Sequence, residues 1–123
     1  MKKTNKSEIK KLVYKSGMIY DLSLKKHCPS IKFSESTIPT EITTLIDEKN
    51  ILNLAGIYGN EGGTEPIQYN KLTIKLTDGK EIIIEFYNRA MLLFQTEDET
   101  IKGIHRVFCE IEKHMATAYK EIT

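Results

Sequence analysis

The sequence predicts an α+β domain in which two β-hairpins form a mainly antiparallel four-stranded sheet with two helices packed on it, in the order ββαββα. Two pairs of strand-like segments each flank a glycine-containing turn, at residues 15–17 and 78–79. One helical pattern follows Pro39, and a longer one occupies the C-terminal quarter of the chain. We expect residues 9–123 to form a single domain after a flexible basic leader at residues 1–8.

The first predicted hairpin starts the domain. Residues 9–14 and 18–24 resemble strands, and the turn between them ends in Gly17. In the second segment apolar and polar side chains alternate, which is the period of a half-buried strand. The side chains expected to share its apolar face are Met18, Tyr20, Leu22 and Leu24. Residues 31–33 are a candidate short strand after a polar connection.

The first helix is predicted to begin near Pro39. Proline fits the first turn of a helix because its missing N–H would have no partner there. Ile42, Leu45 and Ile46 follow at helical spacing, and we expect the helix to end by Asn50.

The second hairpin has the clearest pattern. Residues 72–76 and 81–87 alternate apolar and polar side chains around Asp78 and Gly79, a pair that favours a type I′ turn. The side chains expected to face the core are Ile82, Ile84 and Phe86. Ile83 is apolar too, which predicts a central strand covered in part on both faces.

The longest predicted element is a C-terminal helix of about 24 residues, with Thr96 as N-cap and Glu99 completing a capping box. Its apolar residues step by three and four: Ile101, Ile104, Phe108, Ile111, Met115, Tyr119 and Ile122. Such a helix is roughly 36 Å long, whereas strands of ordinary length span only about 20 Å. We therefore expect its end to extend past the sheet, with Met115, Tyr119 and Ile122 as candidate contacts in a homodimer.

The chain has the composition of an ordinary globular domain, but its charge is unevenly distributed. Residues 1–32 contain nine lysines against Glu8 and Asp21, whereas acidic side chains outnumber basic ones in residues 33–123. A basic region of this kind is typical of proteins that bind nucleic acid or an acidic partner. Only two of the 18 basic residues are arginine, the side chain best suited to bidentate contacts with bases and phosphates.

Cysteine use and the apolar segments predict a cytoplasmic protein without a membrane span. Cys28 and Cys109 are far apart in the chain and are expected to be reduced thiols. No apolar run of signal-peptide length follows the basic N-terminus. The longest apolar stretches, at residues 82–84 and 90–94, are too short to cross a bilayer.

The sequence contains no recognisable catalytic, metal-binding or phosphate-binding motif. His105 and Cys109 have a spacing that places two ligands on one side of a helix, but His114 is expected to point away from them. His27 and Cys28 are adjacent and would point to opposite faces of an extended chain. We therefore expect no catalytic residue, metal or cofactor, and a protein that is not an enzyme.

The glycine-rich loop at residues 55–66 is the best candidate contact site in the sequence. It has two interpretations: a mobile recognition element, or a passive connection between strands. Tyrosine is enriched at binding hot spots, and Tyr58 lies within this loop. The predicted partner-binding residues are Tyr58, Asn60, Glu61 and Glu65.

The order of elements and several local motifs resemble the emfourin-like family of small bacterial proteins. The matching residues lie between positions 9 and 115: Tyr14-Lys15-Ser16-Gly17, Ile38-Pro39, Leu45-Ile46, Ile51-Leu52-Asn53-Leu54 and Thr77-Asp78-Gly79. The founding member of that family inhibits a thermolysin-type metalloprotease. The resemblance implies the architecture and no particular inhibitory residue, since Met18-Ile19-Tyr20 stands here where the family has small residues after its first turn.

Three functions are therefore considered. The preferred hypothesis is a non-enzymatic module that binds another protein, as an inhibitor, immunity or antagonist protein does. The first alternative is nucleic-acid binding through the lysine-rich N-terminal hairpin. The second is a small ligand-binding domain or an enzyme whose motif is not recognisable. Neither the partner nor the oligomeric state is defined by the sequence.

Overall fold

The computed structural model describes residues 8–19, 28–59 and 67–122, with only the backbone described at residues 91, 95 and 116–122. It has an α+β architecture with five strands and three α-helices. The elements are β1 (Ile9–Ile19), β2 (Ser30–Ser34), α1 (Thr40–Glu48), a 3₁₀ helix (Ile51–Asn53), β3 (Gly56–Gly59), β4 (Ile67–Leu76), β5 (Glu81–Tyr87), α2 (Arg89–Gln95) and α3 (Glu99–Ile122).

The strands form one mixed sheet in the order β2-β1-β4-β5-β3. All neighbouring strands are antiparallel except β3, which runs parallel to β5. The fold class is thus confirmed as α+β with a long C-terminal helix, whereas the predicted four-stranded antiparallel sheet and its two-helix order are wrong.

The first correction is that the predicted turn of the first hairpin, at residues 15–17, does not form. β1 runs without a turn through Lys15, Ser16 and Gly17, because β4 pairs with it as far as Ile19 and satisfies its backbone. Gly17 permits a close approach instead of a turn, since a Cβ there would lie 3.1 Å from Cys28 Sγ. Met18, on the apolar side of the predicted second strand, lies within β1 and is 58% exposed.

The rest of that predicted strand, with Tyr20, Leu22 and Leu24, lies outside the described residues, as does the predicted leader apart from Glu8. The strand predicted at residues 31–33 is confirmed as β2, and it pairs with β1 at the edge of the sheet. The first helix is also confirmed, because α1 begins directly after Pro39 and Asn50 follows its end.

The second correction concerns the glycine-rich loop, whose first residues form β3. The Tyr58 ring packs on Phe86 with centroids 5.1 Å apart, and the Tyr58 hydroxyl donates to the Leu54 carbonyl at 2.6 Å. Gly59 has a φ of +87°, and a Cβ there would lie 2.0 Å from the Tyr87 carbonyl oxygen. Only glycine fits this approach, which brings β3 beside β5.

The second hairpin is confirmed as β4 and β5, but its turn is not of type I′. The Gly79 N–H donates to the Leu76 carbonyl at 3.0 Å, and the Leu76 N–H donates to the Lys80 carbonyl at 2.9 Å. Gly79 has a φ of +92°, while Asp78 is absent from the residues with positive φ. This is a three-residue loop in which a type I turn is followed by a glycine bulge.

The C-terminal helix is confirmed, but it begins later than the capping box predicts. Asp98 is its N-cap, because the Asp98 side chain accepts a bond from the Thr100 N–H at 2.8 Å and its carbonyl accepts one from Lys102. Thr96 Oγ1 instead accepts a bond from the Asp98 N–H. The short helix α2 was not predicted.

The length comparison behind the predicted dimer does not hold. α3 has 24 residues and β1 has 11, so each is roughly 36 Å long. Met115 packs against the core, while the side chains of Tyr119 and Ile122 lie outside the described part of the chain. The dimer contact stays a prediction.

Candidate functional site

The sheet has two faces with different surroundings. Its core face packs against α1 and α3, and the central cluster there includes Leu12, Tyr14, Ile42, Ile104, Val107, Phe108 and Ile111. A bulge between Ile9 and Lys11 allows both Ile9 and Leu12 to point into this core. The opposite face of the sheet is called the open face. The described helices contribute no residue to its apolar cluster.

Strand pairing arranges the open face as three parallel rows that cross the strands. The first row contains Ser34, Lys11, Lys75 and Glu81; the middle row contains Lys32, Val13, Thr73 and Ile83; the third contains Ser30, Lys15, Lys71, Glu85 and Ile57. The middle row has Lys32 at its β2 end and the uncharged side chains Val13, Thr73 and Ile83 on the other three strands, while charged side chains dominate the rows on either side.

The charges of the open face are asymmetric across the strands. Five lysines lie on β2, β1 and β4, and two glutamates lie on β5. The glutamates pair with the lysines of β4, at 4.0 Å for Lys71–Glu85 and 3.8 Å for Lys75–Glu81. In the described part of the chain, Lys11, Lys15 and Lys32 have no ion pair, so the half formed by β2 and β1 is positive.

The basic half continues around the edge of the sheet into an open cleft of about 430 Å³. Lys10, Lys11 and Lys32 line this cleft together with Phe33, Ser34 and Thr37. Phe33 is buried, whereas the three lysines are exposed. The cleft therefore widens the positive surface beyond the face itself.

At the other end of the open face, Ile19, Ile67, Tyr69 and Tyr87 form a small apolar cluster against which Cys28 packs. The Tyr69 hydroxyl donates to Glu85 at 3.1 Å. Burial, and then the Glu85 carboxylate, raise the pKa of Tyr69. Both tyrosines are almost fully buried, so neither offers an exposed ring to a ligand.

A buried polar cluster lies on the core face, where β1, β4, α2 and α3 meet. Arg89 makes a bidentate ion pair with Glu112, with N–O distances of 3.0 and 2.9 Å. The Tyr14 hydroxyl donates to Glu112 and accepts bonds from Arg89 at 3.0 Å and from Asn70 at 2.8 Å. Asn70 Nδ2 also donates to Ser16 at 2.8 Å, while Asn70 Oδ1 is buried and has no hydrogen-bond partner among the described residues.

Apart from Asn70 Oδ1, these polar groups hydrogen-bond to one another and attach the helices to the sheet. Burial, followed by the Glu112 charge, raises the pKa of Tyr14, which keeps its hydroxyl protonated. Burial opposes the charge of Arg89, but its bonds to Glu112 and Tyr14 outweigh that effect and raise its pKa. The guanidinium also lies 5.4 Å from the Phe108 ring centroid, within reach of a cation–π interaction.

His105 and Cys109 do come together on α3, with Nε2 and Sγ 3.3 Å apart. Burial lowers the pKa of His105, and the nearby Arg89 charge adds to that effect. His114 instead packs its ring against Phe33 at 5.8 Å. Among the described residues no three His, Cys, Asp or Glu side chains are grouped as metal ligands.

The predicted contact residues are not assembled into one site. Tyr58 is half-buried, its ring packs on Phe86, and its hydroxyl donates to the Leu54 carbonyl. These contacts give it a role in attaching β3 to the sheet. Asn60, Glu61 and Glu65 lie outside the described residues. Contact between Tyr58 and a partner stays a prediction.

Sequence reasoning missed both the open face and the buried polar cluster. Lys11, Val13 and Lys15 alternate, as do Lys71, Thr73 and Lys75, which indicated solvated strand faces but not that the two sets lie opposite each other. For the buried cluster the signal was Asn70, a polar residue that continues the core-facing series of Leu72 and Ile74.

Comparisons of the chain with protein-family models, with curated proteins and with solved structures find no match. In the described part of the chain, no helix combines the length and the apolar content needed to span a bilayer.

Proposed function

We propose that this protein is a non-enzymatic module that binds another protein through the open face of its sheet. The observation that supports this most directly is the arrangement of the face, where the half-buried, uncharged side chains Val13, Thr73 and Ile83 lie between two charged rows. Protein interfaces commonly have this anatomy, with an apolar centre and a polar rim.

The surroundings of the face also support docking. Ile57 on the edge strand β3 is 66% exposed and continues the third row beyond Glu85. An exposed apolar side chain at this edge adds to the apolar area that a partner can cover. The resemblance to emfourin-like proteins agrees with an inhibitor or antagonist role, which stays a prediction, as does the expected cytoplasmic location.

Nucleic acid is the second candidate partner, and the three lysines on β1 and β2 that form no ion pair within the described part of the chain favour it. Proteins that bind single strands usually add exposed aromatic rings on which bases stack. On the described part of the open face Tyr69 and Tyr87 are buried instead. The face therefore fits a protein partner better.

The proposed function is tested by recovering partners from the source cell with matched baits. Thr73→Arg with Ile83→Arg places two long side chains on the middle row and should abolish recovery of the partners that wild type binds. Thr44→Arg with Asn53→Arg adds the same charge at exposed positions outside the sheet and should retain them.

Circular dichroism of both variants checks that they are folded. If the open-face variant recovers the same partners as wild type and the control variant, the open face is not the docking surface. If wild type recovers no partner at all, the function as a binding module is contradicted.

A further inference from the structure

The open face contains two pairs of lysines that lie directly opposite each other on β1 and β4. The strand register places Lys11 across from Lys75 and Lys15 across from Lys71. Like charges in this position destabilise a sheet. Glu81 and Glu85 lie on the far side of the β4 lysines, so Lys11 and Lys15 gain no acidic neighbour from the described strands.

The two lysine pairs are spaced to receive negative charges on both sides of one ligand. Lys15 is four positions after Lys11, which places their rows roughly 14 Å apart along the strand. Val13 and Thr73 lie midway between the rows. Across the strands, the middle row from Lys32 to Ile83 covers four strands, or about 14 Å.

These dimensions match an α-helix laid across the strands. A helix with its side chains is about 10–12 Å wide, so its apolar stripe would rest on the middle row while its two flanks face the lysine rows. Three helical turns cover about 16 Å, enough to cross the four strands. We propose that the open face binds an amphipathic helix of a partner protein whose flanks are rich in Asp and Glu.

The acidic flanks follow from charge complementarity, and this inference rests on the proposed protein-binding function. Five lysines against two glutamates leave the face positive, so acidic flanks are attracted and basic flanks are repelled. A second copy of this chain is disfavoured because two such faces would bring two net positive surfaces together. Nucleic acid lacks the apolar stripe that the middle row accommodates.

The test uses two synthetic helical peptides, each about four turns long, and the full chain. Both peptides have the same leucine stripe; one has glutamate on both flanks and the other has lysine. The glutamate peptide should bind and shift the amide resonances of Val13, Lys15, Thr73 and Ile83. Its affinity should fall as ionic strength rises from about 0.05 to 0.5 M.

A charge-reversed variant decides whether the lysine pairs are responsible. Lys11→Glu with Lys15→Glu should weaken the glutamate peptide on the order of tenfold or more and should gain affinity for the lysine peptide. Lys102→Glu with Lys113→Glu makes the same change in charge on α3 and should leave the preference for the glutamate peptide unchanged.

Three outcomes overturn the proposal: no binding of the glutamate peptide, equal binding of both peptides, or resonance shifts outside the open face. Tighter binding of a DNA duplex by the same lysines would assign the face to nucleic acid, and self-association through it would assign it to a second copy. If only the acidic-helix inference is wrong, the double variant Thr73→Arg with Ile83→Arg still loses the partners that wild type recovers. If the proposed function is wrong, that double variant recovers the same partners as wild type.

Discussion

Arg89 brings a full positive charge to a position where only 7% of its surface is exposed. Removing such a charge from water is costly, and the cost is offset only when the partner geometry is good. Here the bidentate pair with Glu112, the Tyr14 hydroxyl and the Phe108 ring all contribute. Because these residues come from β1, α2 and α3, one side chain holds three elements together.

Replacing Arg89 should therefore destabilise the fold much more than replacing the other arginine. Arg89→Met removes the ion pair of Glu112 and leaves that carboxylate only the hydrogen bond from Tyr14. We expect a loss of about 2–3 kcal/mol in the free energy of unfolding, since Glu112 keeps 28% exposure. Arg106→Met removes an exposed pair with Glu110 and should cost about 0.5 kcal/mol or less. Urea denaturation of both variants measures the difference, and equal losses would mean that the buried cluster adds no stability.

At the scale of elements, the pairing between strands determines the structure where turn residues in the sequence predict it wrongly. Lys15-Ser16-Gly17 has turn chemistry, yet β4 is long enough to pair with all of β1 and keeps the chain extended. Asp78-Gly79 did become a turn, because there the two flanking strands pair with each other. Turn residues permit a reversal, but the available partner strand determines whether it occurs.

The same limit applies to the candidate site. The alternation of apolar and polar side chains in residues 72–76 predicted that one face of that strand is solvated, and this followed from the period alone. Which lysine lies opposite which depends on the order and register of the strands. In the sequence, 47 residues lie between Ile19 at the end of β1 and Ile67 at the start of β4. The rows of the open face therefore require the fold.

The attachment of β3 to the sheet should depend on Gly59. A Cβ at this position meets the Tyr87 backbone, whereas one at Gly79 meets nothing within 4 Å, although both glycines have φ near +90°. We expect Gly79→Ala to cost about 1 kcal/mol through dihedral strain alone, and Gly59→Ala to cost about 1–2 kcal/mol more.

Amide hydrogen exchange shows which strands are destabilised by Gly59→Ala. Amides of β3 and β5 should lose protection in Gly59→Ala while those of β1 keep it. Equal stability losses in the two alanine variants, with β3 still protected, would show that the close approach at Gly59 does not constrain the strand.

At the scale of the whole molecule, packing is one-sided. The helices bury the core face, and the described residues leave much of the opposite face to solvent with unfavourable lysine neighbours across β1 and β4. Glu85 and Glu81 offset the charge of the β4 lysines only, and local rules of this kind are broken in real proteins chiefly at functional sites. The facing lysines of the open face thus lower the stability of the isolated protein, while in our proposal they strengthen the binding of an acidic partner.

That opposition gives the last prediction. Lys11→Thr with Lys15→Thr should stabilise the isolated protein by about 0.3–0.5 kcal/mol per site at low ionic strength, because each change removes repulsion from Lys75 or Lys71. The electrostatic part of the gain should vanish at high salt, whereas any gain from the strand propensity of threonine should persist. Lys102→Thr, which removes exposed pairs with Glu97 and Glu99, should bring no such gain. If the double variant is less stable than wild type at low salt, the facing lysines do not repel, and the physical reason for placing acidic groups between them is lost.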